Sequence, residues 1–126
     1  MILDTNAVSG LVVRNANLVA LIRHAPRLCV TCISLGEYQF GILGSSKKKE
    51  LEHWLDQFLQ RVEVLFLNRE TMSYYASIRH QLKKTGNPIP ANDVWIAALA
   101  KQHRMSLVSL DTHFDHLEGV QRLAWQ

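Results

Sequence analysis

Four carboxylates sit in apolar company, where solubility alone would not place them. Asp4 follows Met-Ile-Leu, and Glu37 lies within Ile-Ser-Leu-Gly-Glu-Tyr. Asp93 precedes Val-Trp-Ile-Ala-Ala-Leu-Ala, and Asp111 follows Leu-Val-Ser-Leu. A carboxylate near a core is costly unless it is paired, used as a cap or bound to a cation. Taken singly, each has a local explanation. Asp4 fits the cap of a short helix after the first strand, and Asp93 the positive end of another helix. Asp111 fits a turn, and Glu37 fits the third position of a capping box opened by Ser34. Together they imply a shared counter-charge. Hard divalent cations, Mg²⁺ or Mn²⁺, prefer oxygen ligands of this kind. Such a cation activates water and stabilises the charge of an in-line displacement at phosphorus, so the chemistry indicated is phosphodiester hydrolysis.

The elements that would gather these acids alternate along the chain. Short apolar strands are expected at Met1–Asp4, Leu28–Thr31, Val62–Leu67 and Met105–Leu110, with a last one near Val120–Leu123. Helices are expected at Asn15–His24, from Ser34 toward Gly44, from Ser45-Ser46 through Leu59, over Arg69–Lys84, and from an Asn92 cap to His103. In the third of these helices Leu51, Trp54, Leu55, Phe58 and Leu59 recur at helical spacing. Gly86, Pro88 and Pro90 mark Thr85–Ala91 as a loop. Strands alternating with helices predict a three-layer α/β/α domain, its central parallel sheet having four to five strands. With 126 residues and no linker-like stretch, a single domain over 1–126 is expected. In an open parallel sheet, strand ends and the starts of the following helices share one edge, where ligands bind. Asp4, Glu37, Asp93 and Asp111 all fall on that edge.

Composition narrows the partner. The chain is 48% hydrophobic and 20% charged, enough for a core and far from a disordered or fibrous composition. No apolar run approaches the roughly 18 residues of a membrane span. Fourteen Lys and Arg against eleven Asp and Glu give a net +3. Neutralising the four acids with metal leaves the remaining surface near +7, which favours a polyanion. Arg14, Lys47, Lys48, Lys49, Lys83 and Lys84, with Lys101 and Arg104, are the candidate phosphate contacts, although a run such as Lys47–Lys49 also suits a solvated helix start. Cys29 and Cys32 form a lone C-x-x-C within an apolar run and are read as small strand hydrophobes in a reducing cytoplasm, their sulfurs facing opposite sides of the sheet.

At this point the motifs resemble those of the PIN-domain ribonucleases. They are strand-Asp4-Thr5-Asn6, Ser34-Leu-Gly-Glu37 with Gly41, Gly86-x-x-x-Pro90-x-x-Asp93-x-x-Ile96-Ala97-Ala98, and Leu107-Val-Ser-x-Asp111-x-x-Phe114. They span nearly the whole chain in order and are most similar to the VapC toxins of bacterial toxin–antitoxin pairs. The resemblance implies a Mg²⁺- or Mn²⁺-dependent endoribonuclease with Asp4, Glu37, Asp93 and Asp111 as an acidic quartet, supported by Asn6, Ser34 and Ser109. It also implies products with a 5′-phosphate and a 3′-hydroxyl, structured RNA such as tRNA or rRNA as substrate, a VapB-like antitoxin and a homodimer. The apolar faces of Asn15–His24 and Lys47–Gln60 offer places for an antitoxin helix, or for ordinary core packing. Asp115 is a further carboxylate near the site, as an outer support or a cap. His113 and His116 offer softer ligands, or surface imidazoles.

Two other classes compete. A phosphoaspartyl enzyme also begins strand-Asp but needs a second Asp two residues on, where this chain has Asn6. A PIN-like module that binds nucleic acid or protein without cutting would not require four retained acids.

Overall fold

A computed structural model describes residues 1–126. Five short parallel strands form one sheet: β1 (Ile2–Leu3), β2 (Cys29–Thr31), β3 (Glu63–Leu65), β4 (Leu107–Val108) and β5 (Arg122–Leu123). Their order across the sheet is β3-β2-β1-β4-β5, so β1 is central and both its neighbours come from distant sequence. Six helices connect them: α1 (Thr5–Val12), α2 (Ala16–Ile22), α3 (Cys32–Leu43), α4 (Lys48–Leu59), α5 (Arg69–Thr85) and α6 (Ala91–His103). A 3₁₀ turn over Thr112–His116 follows β4.

Alternation along each strand divides the core in two. Ile2, Cys29 and Leu107 point to the face covered by Ile78 and Leu82 of α5 and by Val94 to Ala100 of α6, with Phe114 sealing the end. Leu3, Val30 and Val108 point to the other face, against Ala7 and Val8 of α1 and Leu18 and Ile22 of α2. Trp54 and Phe58 of α4 close that side, stacked on each other at 4.9 Å. The expected three layers are therefore present. The apolar stripes of segments 15–24 and 47–60 are spent on this packing, not presented outward.

Several element starts differ from the sequence expectation. Ser34 is not a cap: α3 starts at Cys32, and the Thr31 hydroxyl accepts from the Ser34 amide at 3.0 Å. This leaves the Ser34 side chain free to face inward. Asn92 is not a cap either, because α6 already begins at Ala91 after Pro90, whose fixed φ suits a helix entry. Cys32 is the first residue of α3, not a strand residue, so the argument from opposite sheet faces does not hold for the pair; both thiols are free. The segment after β1 is a full eight-residue helix, with Asp4 as its cap. It crosses α2 closely at Gly10, where a Cβ would stand 2.7 Å from Leu18 Cδ2.

Candidate active site

β1 and β4 are paired in register, Leu3 opposite Val108, so Asp4 and Ser109 emerge side by side at the edge of the sheet. Asp4 is 6% exposed, and three donors compensate its buried charge. Oδ1 accepts from the Thr5 amide at 2.8 Å and from Ser34 Oγ at 3.5 Å, and Oδ2 accepts from Ser109 Oγ at 2.6 Å. The fully buried Ser109 hydroxyl also accepts from the Asp111 amide at 3.0 Å and from Asn6 Nδ2 at 3.4 Å. The Asn6 side-chain oxygen in turn accepts from the Leu110 amide at 3.2 Å. Asn6, Ser34 and Ser109 thus hold Asp4 and the 109–111 turn as one hydrogen-bonded unit.

The other three acids converge on it from different elements. Asp93 lies in the first turn of α6, and Asp111 caps the 3₁₀ turn by accepting from the His113 amide at 2.9 Å. His113 Nδ1 stands 3.2 Å from Asp93 Oδ2 and 3.0 Å from Asp111 Oδ1. Ligand atoms of Asp93, Asp111 and His113 all lie within 4.8 Å of one another. Glu37, on α3, reaches from the far side, where Thr5 Oγ1 donates to its Oε1 at 3.4 Å. A cavity of about 350 Å³ opens beside Thr5 and Glu37, between α1 and α3.

The crowding has an electrostatic signature. Glu37 is exposed as a residue, yet loss of water around its carboxylate, then the charges of Asp4 and Asp93, push its pKa up against the Thr5 hydrogen bond. Burial likewise pushes Asp93 up, reinforced by Asp111 and Asp4 and opposed by His113. His113 is raised in turn, first by its hydrogen bond to Asp93 and further by Asp111, against desolvation. The His113 imidazole thus stands between two carboxylates, both of which favour its protonated form. The donor atoms that come together, two carboxylate oxygens from Asp93 and Asp111 and one nitrogen from His113, fit a divalent ion, with Asp4 and Glu37 close enough to add negative charge.

Other expected residues sit apart. Asp115 does not join the carboxylate group: it makes a two-pronged pair with Arg122, both contacts at 2.8 Å. Arg122 Nη1 also donates to the Ser109 carbonyl at 3.2 Å, so Asp115 supports the site only through that guanidinium. His116 is not part of the cluster. Arg14, Lys47, Lys48, Lys49, Lys83 and Lys84 are all exposed, and Lys48 is 3.9 Å from Glu52, one turn along α4. Thr5 and Arg122 were not singled out from the sequence. The Asp-Thr-Asn triplet carried a signal for Thr5; nothing local distinguishes Arg122.

A five-stranded parallel sheet flanked by six helices, with acids gathered at one edge, defines a class. The chain belongs to the PIN-domain family, whose model matches residues 1–120. Its relatives within that family are VapC proteins. It is 31% identical over 110 residues to Ribonuclease VapC2 of Haemophilus influenzae, covering 85% of this chain and 83% of that one. It is 33% identical over 82 residues to Ribonuclease VapC2 of Rickettsia felis, covering 65% of this chain and 61% of that one. Among solved structures, VapBC2 from Rickettsia felis bound to a promoter DNA fragment superposes with a TM-score of 0.89 at 26% identity, covering 99% of this chain and 98% of its counterpart. VapBC-1 from nontypeable Haemophilus influenzae gives 0.87 at 27% identity, covering 98% and 96%.

Proposed function

We propose that residues 1–126 act as one metal-dependent endoribonuclease, the toxin of a VapBC-type pair, in the cytoplasm where its RNA is found. The observation that carries the reading is the convergence of Asp4, Glu37, Asp93 and Asp111 from four elements on one edge, with the pKa values of Glu37 and Asp93 displaced upward. The names of the VapC relatives supply the substrate class.

Asp93 and Asp111, with Asp4 and Glu37 around them, would hold Mg²⁺ or Mn²⁺. Bound there, the ion supplies a water acidified toward neutral pH and positive charge for the phosphorane-like transition state. The residues of the chain do the rest. Ser109, Ser34 and the Thr5 amide fix Asp4, so its lone pairs are aimed before substrate arrives. Asn6 holds the 109–111 turn against β1, and Thr5 orients Glu37. In the proposed reaction water adds to phosphorus as the P–O3′ bond breaks, so the upstream fragment leaves with a 3′-hydroxyl and the phosphate remains on the 5′ oxygen of the downstream fragment. Structured RNA such as tRNA or rRNA is the proposed substrate.

A VapB-like antitoxin is the proposed partner, and α3 offers its contact. Phe40 is 80% exposed and Leu43 66%, beside a cavity of about 600 Å³ shared with α4. A homodimer completes the reading. The test is cleavage of RNA by the purified protein with Mn²⁺, and growth arrest on expression that is relieved by the cognate antitoxin. EDTA, Asp4→Ala and Asp93→Asn should each abolish cutting with the fold retained; activity that survives both substitutions refutes the quartet.

A further inference from the structure

A groove lined by basic side chains lies outside the acidic group. It runs between α5 and the start of α6 and measures about 660 Å³, within the range of ~300–1,000 Å³ usual for ligand pockets. Leu82, Ile89 and Val94 form its apolar floor, Arg79, His80 and Lys83 stand around it, and no acid lines it. Gly86 ends α5 in the left-handed conformation (φ 71°), which turns the chain back over the groove.

The two strong cations are placed at a cost. Arg79 and Lys83 are four residues apart on one helix face, where like charges repel. Neither has a carboxylate within ion-pair distance. Arg79 is nevertheless held in place. Its Nη1 donates to the Tyr75 hydroxyl at 2.8 Å, its guanidinium lies 5.7 Å from the Tyr75 ring, and that ring stacks on Trp95 at 3.7 Å. Two cations without carboxylate partners, one of them anchored, over an apolar floor suit a ligand that alternates anionic and flat apolar parts. Nucleic acid has that structure: phosphates for the cations, sugar and base for the floor. Ala91 and Val94, in the first turn of α6, line the groove, and Asp93 belongs to that same turn.

We propose that this groove holds the backbone of the substrate RNA next to the cleavage site, with Arg79 and Lys83 each taking a phosphate. The inference rests on the ribonuclease reading and adds where the strand lies. The test is fluorescence anisotropy of a labelled single-stranded RNA in EDTA, which prevents cutting, titrated across KCl concentrations. Each phosphate contact to a single strand contributes about 0.7 to the slope of log K against log salt, so Arg79→Ala/Lys83→Ala should reduce the slope by about 1.4. At 0.1 M salt that corresponds to roughly 25-fold weaker binding. Arg79→Lys/Lys83→Arg should keep the slope. Both positions are exposed, and Mn²⁺-induced thermal stabilisation equal to wild type serves as the fold control. An unchanged slope and affinity in the double Ala variant overturns the proposal, as does a changed oligomeric mass with RNA binding intact, which would make the groove a protein contact. Failure of wild type to cut RNA with Mn²⁺, while the slope falls as expected, counts against the ribonuclease reading and leaves the groove as an RNA site.

Discussion

Replacing Ser109 by Ala removes one oxygen and disturbs three partners. The hydroxyl is fully buried, donates to ionised Asp4 at 2.6 Å and accepts from the Asp111 amide and Asn6. A hydrogen bond to a charged group contributes about 1.5–3 kcal/mol, and the stranded acceptor and amide keep the loss in the upper half of that range. Globular domains unfold with about 2.1 cal/mol/K per residue near 60 °C, or ~0.26 kcal/mol/K for this chain, so a loss of about 2–3 kcal/mol lowers Tm by about 8–11 °C. Calorimetry in EDTA reads this directly. Asp4→Asn complicates the interpretation because it also relieves repulsion with Glu37 and Asp93. The Ser109→Ala/Asp4→Asn cycle separates the two effects: the expected coupling is about 1 kcal/mol or more, whereas residues that do not interact add within ~0.5 kcal/mol. Supporting contacts to metal ligands typically change affinity by about 10–100-fold, so Mn²⁺ binding by Ser109→Ala should weaken by that factor in titration calorimetry. A Tm within 2 °C of wild type, roughly 0.5 kcal/mol, or an additive cycle, refutes the claim that Ser109 ties β1 to the acidic turn.

Other outcomes follow from the same geometry. Glu37 and Asp93 bind protons more tightly in the folded chain, so metal-free stability should fall as pH rises through their elevated pKa values and then level off; Mg²⁺ should flatten this in melts run with and without EDTA. Asp93→Asn should melt at or above wild type in EDTA yet lose the Mn²⁺-induced rise in Tm. Phe114→Ala, at a fully buried position beneath the 3₁₀ turn, should cost about 3–5 kcal/mol in denaturant unfolding. Gly10→Ala forces the buried Leu18 aside and should cost about 1–3 kcal/mol by the same measurement.

Asp93 and Asp111 are half-buried and Glu37 is exposed; Asp4, the one of the four acids that is buried, stood out because a carboxylate directly after Met-Ile-Leu is anomalous among its neighbours. The alternation of elements was legible for the same local reason, and the parallel sheet follows from it. Caps were misread where two local patterns competed. Ser34-x-x-Glu37 matches a capping box, but Ser34 Oγ is needed by Asp4, thirty residues away, and Thr31 caps instead. Asn92 has the chemistry of a cap, yet Pro90 starts the helix before it. Asp115 sat in the right stretch of sequence, but its partner is Arg122, placed opposite by the β4–β5 pairing. The amphipathic stripe of α4 was visible as a stripe; that it faces inward depends on α3 and the sheet, which no window of sequence contains.

Two-residue strands have a consequence for how this site can change. β1 and β4 each give one side chain to either face, and the next residue of each, Asp4 or Ser109, belongs to the site. A one-residue slip of β1 would exchange Ile2 and Leu3 between the two cores and move Asp4 out of reach of Ser109. Core packing and the placement of the acidic group therefore share a single reading frame along the strand. Insertions should be tolerated in the loops between helices, while a single residue added before Leu3 or Val108 would disable core and site at once.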